Sequence, residues 1–208
     1  MRALVFRAGE RGLLAVALVC IGALAMAQAR AQLFTAREGR RLASLLGEGS
    51  TARGPMRARE AGRARAAAGA GHAWGRLELP RLGLSALVAE GVDASTLSVA
   101  AGHFPRTAFP GERGNVALAG HRDTFFRALE HVRRNDVVRL ATPDGIFEYR
   151  VEWRAVVDPT RTEVVAATHE PHLTLVTCYP FTFLGRAPLR YVVRARQTDS
   201  SGATPARS

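Results

Sequence analysis

Cys178 closes the apolar run Leu173-Thr174-Leu175-Val176-Thr177-Cys178, and ten residues later Pro188-Leu189-Arg190-Tyr191-Val192-Val193 begins a second run that opens on an arginine. A strand pattern that ends on a thiol, followed by one that starts on a guanidinium, suits a nucleophile beside a cation. Upstream, Ala117-Leu118-Ala119-Gly120-His121-Arg122 supplies a group able to handle protons. Amide cleavage by sulfur needs a thiolate, and free cysteine has a pKa of about 8.5. The departing amine then needs a proton, and an incoming amine must lose one. His121 suits both tasks because an unperturbed imidazole titrates near 6.5 and serves as acid and then base. The oxyanion that develops on the attacked carbonyl calls for a fixed donor, and losing one such donor costs about 2.7–4 kcal/mol in comparable sites. Arg186 and Arg190 compete for that role. Arg186 falls in the expected loop, whereas Arg190 begins a strand, and rigid elements position a catalytic group better than loops.

The thiol stands alone. The chain has two cysteines, and Cys20 lies within an apolar N-terminal segment, so no disulfide can form within the domain that carries Cys178. A lone thiol kept in an oxidising compartment suggests chemistry, although a buried core cysteine gives the same pattern. His103, His131, His169 and His172 show no metal-ligand spacing with acids or thiols and default to surface or loop positions. No acidic cluster suggests a calcium site, so the reading calls for no metal and no cofactor. Beside the thiol, Thr177 and Tyr179 are candidate substrate contacts, with strand packing the competing role for Thr177. Tyr179, Pro180, Phe181, Phe183 and Leu184 form an apolar cluster that either covers the thiol and lines a groove or packs the fold.

From Trp74 onward the chain reads as short strands separated by turn residues. Arg76-Leu77-Glu78-Leu79 alternates and stops at Pro80, Ala86 to Ala89 is a second apolar run, and Asn115 to Ala119 follows a turn at Gly111 to Gly114. Val137 to Leu140 leads through Thr142-Pro143-Asp144-Gly145 into a longer strand, Ile146 to Val157, with Phe147, Tyr149, Val151 and Trp153 on one face. A closed barrel of six to eight strands removes the edges most economically. One segment breaks the rhythm. Phe125, Ala128, Leu129 and Val132 fall at helical spacing, which predicts a short helix over 124–132 capped by Asp123 or Thr124, with orientation of His121 the alternative role for Asp123.

The chain has 208 residues, enough for one ordinary domain and a membrane or linker region, and its 47% apolar and 23% charged content fits a folded protein. Its net charge of +11 is uneven: residues 1–72 hold 12 Arg against 4 acids, a net of +8, and residues 73–208 hold 17 against 14, a net of +3. That distribution argues against a nucleic-acid-binding domain, which concentrates cations on a folded face. Gly12 to Ala29 runs for about eighteen residues without a charge, behind Arg2, Arg7 and Arg11. This approaches the length that spans hydrocarbon, and the basic flank stays cytoplasmic, so the remainder is exported. Ala25-Met26-Ala27 and Ala27-Gln28-Ala29 resemble signal-peptide cleavage sites, which leaves a cleaved leader as the alternative. Residues 1–30 are thus read as a cytoplasmic tip and anchor, and 31–73 as a juxtamembrane helix near Leu33 to Leu46 followed by a Gly, Ala and Arg-rich linker. Residues 74–197 are read as a catalytic β-barrel and 198–208 as a disordered tail.

Together, the anchor, the β-rich domain, Ala119-Gly120-His121-Arg122, Leu173 to Cys178 and Pro188 to Val193 resemble the sortase family, most of all its class D-like enzymes. The resemblance covers residues 74–196. It implies an eight-stranded closed β-barrel with one or two short helices behind a transmembrane helix, and His121, Cys178 and Arg190 as catalytic residues. In the sortase pattern the arginine directly precedes the last apolar strand, which selects Arg190 over Arg186. The implied activity is cysteine transpeptidation at the cytoplasmic membrane, with the N-terminus inside and the barrel on the extracytoplasmic side. A secreted protein bearing a C-terminal sorting signal is cut through a thioester on Cys178. Its acyl group passes to an amine of the envelope or of another protein. A thiol-dependent peptidase on the same scaffold, and a noncatalytic envelope-binding protein, are the alternatives.

Overall fold

The computed structural model describes residues 2–48, 72–183 and 185–198. Most of the linker expected before residue 73, Leu184 of the apolar cluster, and residues 199–208 of the expected tail lie outside the described residues. A helix α1 (Arg2–Glu48) precedes β1 (Ala73–Leu79), β2 (Leu84–Glu90), a short α2 (Ala94–Leu97), β3 (Ala101–His103), β4 (Asn115–Ala119), β5 (Val137–Thr142), β6 (Gly145–Val157), β7 (His172–Tyr179) and β8 (Leu189–Gln197). The eight strands close into a barrel in the order β1-β2-β3-β4-β7-β8-β6-β5. Only β2–β3 and β4–β7 run parallel. The first parallel crossover is made by α2, whose start is fixed by Asp93 accepting from the Ser95 and Thr96 amides at 2.9 and 3.1 Å.

Strand alternation builds the core. Leu77 and Leu79 of β1, Leu118 of β4, Leu140 of β5, Tyr149 and Val151 of β6, Leu173 and Leu175 of β7 and Val193 of β8 meet inside the barrel. The strands read from Arg76–Leu79, Ala86–Ala89, Asn115–Ala119, Val137–Leu140 and Ile146–Val157 are all present. β3 was not read, since three residues are too few to establish a period.

Four expectations need correction. The helix expected over 124–132 is a 3-10 helix at Arg127–His131 without a side-chain cap, so neither Asp123 nor Thr124 caps it. Leu129 within it and Phe126 and Val132 on either side of it are buried. That three-residue spacing matches 3.0 residues per turn, a period the apolar set also permits. In β6 the register shifts between Val151 and Trp153, so Trp153 is 41% exposed and lies against the Arg194 guanidinium at 5.5 Å. His103, assigned by default to the surface, is fully buried. Its Nδ1 lies 2.7 Å from Glu90 Oε2, and its Nε2 is 3.0 Å from the Ala108 carbonyl and 2.9 Å from the Thr107 hydroxyl. The half-buried His172 pairs with Glu152 at 3.4 Å, while His131 and His169 are exposed.

The separate anchor and juxtamembrane helix are one continuous helix, and its later part packs on the barrel. Leu42 is 1% exposed in a cluster with Ala73, Leu87, Ala89 and Ala100, and Phe34 packs against it. Glu38 accepts the Ala73 amide at 3.2 Å and pairs with Arg41 at 3.3 Å. Burial of one leucine contributes about 1.5–3 kcal/mol, whereas an exposed pair such as Glu38–Arg41 contributes about 0–1. The apolar seat therefore dominates the attachment.

At the opposite end of β1, Arg81 grips Asp136 bidentately, Nε to Oδ1 at 2.5 Å and Nη2 to Oδ2 at 2.6 Å, and the Arg133 amide donates to the same carboxylate at 2.7 Å. These donors, Arg81 first, hold the Asp136 carboxyl below its ordinary value. A depressed carboxyl stabilises the fold above its unfolded pKa of about 3.9, and that contribution is lost as pH falls below it. Asp136→Asn should therefore lower stability at pH 7 and flatten its decline below about pH 4. Because Arg81 is 42% exposed, the loss should be smaller than the roughly 3–5 kcal/mol seen for fully buried pairs. Urea denaturation of both proteins at pH 7 and pH 3 measures it.

Candidate active site

Period-2 alternation along β7 turns Leu173, Leu175 and Thr177 into the barrel and leaves Cys178 half-buried on the other face. On β8, Tyr191 and Val193 point inward and Arg190 shares the face of Cys178. The β7–β8 register sets Cys178 directly against Arg190, and such cross-strand partners lie about 4.5–5.5 Å apart at Cβ. On its other side Arg190 is paired with Val157 of β6. Nη1 of Arg190 donates to the carbonyls of Ala187 at 3.3 Å and Leu189 at 2.9 Å. Among the described residues, no partner takes its Nε or Nη2, so three N–H groups of the guanidinium remain for an anion. Asp158, just beyond β6, has its carboxyl held below the ordinary value, first by the Thr160 hydroxyl and amide and last by the Arg190 charge.

His121 arrives from β4. The parallel pairing of Ala119 with Val176 brings the end of β4 level with the thiol, and the Gly120 amide donates to the Val176 carbonyl at 3.1 Å. The Thr177 hydroxyl donates to the Gly120 carbonyl at 2.7 Å. The chain then turns sharply, with the Phe126 amide on the His121 carbonyl at 3.0 Å. The Phe126 ring lies where a side chain on residue 120 would stand, 2.8 Å from an ideal Cβ. Glycine at 120 is what lets this aromatic ring seat against the backbone just before the histidine.

A surface cleft of roughly 530 Å³ brings His121, Cys178 and Arg190 together, with Arg122, Asp123, Gly185, Arg186 and Ala187 completing its walls. Thr177 and Tyr179 do not line it. Thr177 is 2% exposed and spends its hydroxyl on the Gly120 carbonyl, so it braces the histidine segment. Tyr179 stacks on Tyr191 at 6.2 Å between centroids and lines a neighbouring depression with Phe181, Arg154 and Val156. The reason is the same alternation: residues on either side of Cys178 face the other way. Sequence reasoning left Arg122 without a role and did not single out Arg127. Arg122 donates to the carbonyls of Pro180 and Gly185 at 2.9 and 3.1 Å and to that of Phe183, and Arg127 donates to that of Phe181 at 2.8 Å. Only the place of Arg122 directly after His121 hinted at this. Among the described residues, no group of three or more His, Cys, Asp or Glu side chains is placed to hold a metal.

A thiol, an imidazole and a guanidinium around one cleft can perform acyl transfer, and the barrel that holds them has known counterparts. The Sortase domain family model matches residues 77–198. The chain belongs to the sortase family. It is 37% identical to Sortase D of Bacillus subtilis over 128 residues, 61% of this chain and 65% of that protein. It is 29% identical to Sortase A of Listeria monocytogenes over 108 residues, 50% of this chain and 48% of that one. The chain thus spans less than two thirds of the length of each of these curated relatives. Among solved structures, a Clostridium perfringens Sortase D5 transpeptidase superimposes with a TM-score of 0.61 at 27% identity, covering 77% of this chain and 98% of that one. The class D-like resemblance and the eight-stranded sortase barrel are both upheld.

The seating of Phe126 on Gly120 gives a direct check on how this sortase site is built. Gly120→Ala must displace the ring, and overpacking of this kind costs about 1–3 kcal/mol. Thermal melting should show that loss, and Gly120→Ala combined with Phe126→Leu should recover part of it.

Proposed function

We propose that this sortase-family chain is a membrane-anchored cysteine transpeptidase. The observation that carries the reading is the registered pair of Cys178 and Arg190, opened onto the same cleft as His121. In the proposed reaction the Cys178 thiolate attacks the carbonyl carbon of the scissile amide. Negative charge gathers on the carbonyl oxygen, and the unengaged Nε–H and Nη2–H groups of Arg190 receive it. As the tetrahedral intermediate collapses, His121 gives its proton to the departing nitrogen, the C–N bond breaks, and a thioester forms on Cys178. An acceptor amine then attacks the thioester, His121 takes the proton it loses, and the thiolate leaves as the new amide forms. The substrate is a secreted protein with a C-terminal sorting signal, and the acceptor is an amine of the envelope or of another protein.

Membrane attachment is part of the same reading. Val16–Ser44 belongs to a helix long and apolar enough to cross a bilayer, with a mean hydropathy of 1.5. Val16, Leu18, Val19, Ile21 and Leu24 are exposed around it, as suits a helix surrounded by lipid. The arginines ahead of it keep the N-terminus in the cytoplasm and place the barrel outside.

Full-length protein in detergent, given a panel of sorting-signal peptides and a simple amine, should form the amide product. Cys178→Ala should abolish it, and Arg190→Ala should lower kcat by about 10²–10³. Hydrolysed acid as the sole product at every amine concentration would reduce the enzyme to a peptidase. Activity surviving in Cys178→Ala would remove the enzyme reading altogether.

A further inference from the structure

Between β7 and β8 the described residues of the connection from Pro180 to Pro188 make no strand pairing, and this connection joins Cys178 to Arg190. Backbone carbonyls outside a ladder need donors from elsewhere. Here the donors are two guanidiniums from the segment that follows His121. Arg122 gives Nη1–H to the Pro180 carbonyl at 2.9 Å and both Nη2–H groups to the carbonyls of Phe183 and Gly185, the latter at 3.1 Å. Its guanidinium also lies over the Phe183 ring at 5.9 Å. Arg127 gives Nη1–H to the Phe181 carbonyl at 2.8 Å. The arginines flank the turn that seats Phe126 on Gly120, so the histidine segment and the connection are tied at four carbonyls.

We infer that Arg122, supported by Arg127, is a positioning residue that fixes the geometry of Cys178 and Arg190 relative to His121, a role that deepens the transpeptidase reading and rests on it. Arg122 borders the cleft, yet its donors face the protein. The contrast with Arg190 is one of committed hydrogens: Arg190 keeps Nε and Nη2 unengaged, whereas Arg122 has both Nη2–H groups committed to the connection. A fork is needed because carbonyls in three directions must be reached from one side chain. An ammonium is a point charge and does not reproduce the planar array.

The test uses full-length protein carrying Cys20→Ala, so that Cys178 is the sole thiol. Arg122→Ala, Arg122→Lys and Arg127→Ala are compared for kcat, KM, melting temperature and the rate of Cys178 alkylation by iodoacetamide. A misplacement of about 1 Å at a reacting group costs on the order of 100-fold. Arg122→Ala should therefore lose about 100-fold in kcat with little change in KM, and Arg127→Ala should lose less. Alkylation should accelerate in both as the connection, which walls the cleft of the half-buried thiol, loosens. Arg122→Lys should resemble Arg122→Ala. The inference is overturned if kcat per folded molecule and alkylation rate both stay at the parent values, if activity falls only in proportion to the unfolded fraction, or if lysine restores kcat. Should the parent protein show no thiol-dependent turnover, the transpeptidase reading fails on its own, and alkylation still decides whether the two arginines hold the connection that walls the thiol's cleft.

Discussion

Eight registered pairs tie β7 to β8, from His172 against Arg196 to Tyr179 against Leu189, and the seventh sets Cys178 opposite Arg190. Because side chains alternate with period 2, a slip of one residue in this ladder would turn Cys178 into the core and Thr177 outward. The apolar core prevents such a slip, since Leu173, Leu175 and Val193 would have to leave it. Thiol and guanidinium are therefore placed by the same burial that closes the barrel. The third group is added through the neighbouring parallel ladder, in which β4 runs alongside β7 and delivers His121 at the level of the thiol.

Arginine performs distinct tasks around this cleft according to how its hydrogens are spent. Arg190 spends Nη1 on the Ala187 and Leu189 carbonyls, and its Nε and Nη2 have no hydrogen-bond partner among the described residues. Arg122 and Arg127 satisfy the carbonyls of an irregular segment. Arg81 grips a carboxylate on both oxygens. The chain has no lysine, and the placements of Arg81 and Arg122 use the planar, multiply donating fork that lysine lacks.

Most of the barrel strands, and the three side chains of the candidate site that meet at one cleft, were legible because both rest on local pattern. Alternation from Ile146 to Val157 and the runs ending at Cys178 and starting at Pro188 need no distant information to be read as strands. What escaped depended on three dimensions. The bulge that exposes Trp153 is set by pairing with β8, and the choice of a three-residue period at Phe126, Leu129 and Val132 follows from seating Phe126 on Gly120. His103 gave no sign of burial because its partners, Glu90 and the Thr107–Ala108 turn, come from other parts of the chain. Thr177 and Tyr179 lie beside Cys178 in sequence and face away from it in space. The seat of Leu42 on the barrel was likewise invisible, since a weakly amphipathic stretch does not reveal what it packs against.

The central claim is that Cys178 becomes acylated while Arg190 and His121 act on the same intermediate. Intact-mass spectrometry of the full-length protein mixed with a sorting-signal peptide, quenched in acid before any amine is added, tests it most directly. The account predicts a mass increase equal to the acyl fragment, mapped by digestion to the peptide containing Cys178 and discharged when an amine is supplied. An adduct mapped to any other residue, or turnover of the peptide with no adduct on Cys178 even when deacylation is made limiting, would contradict it.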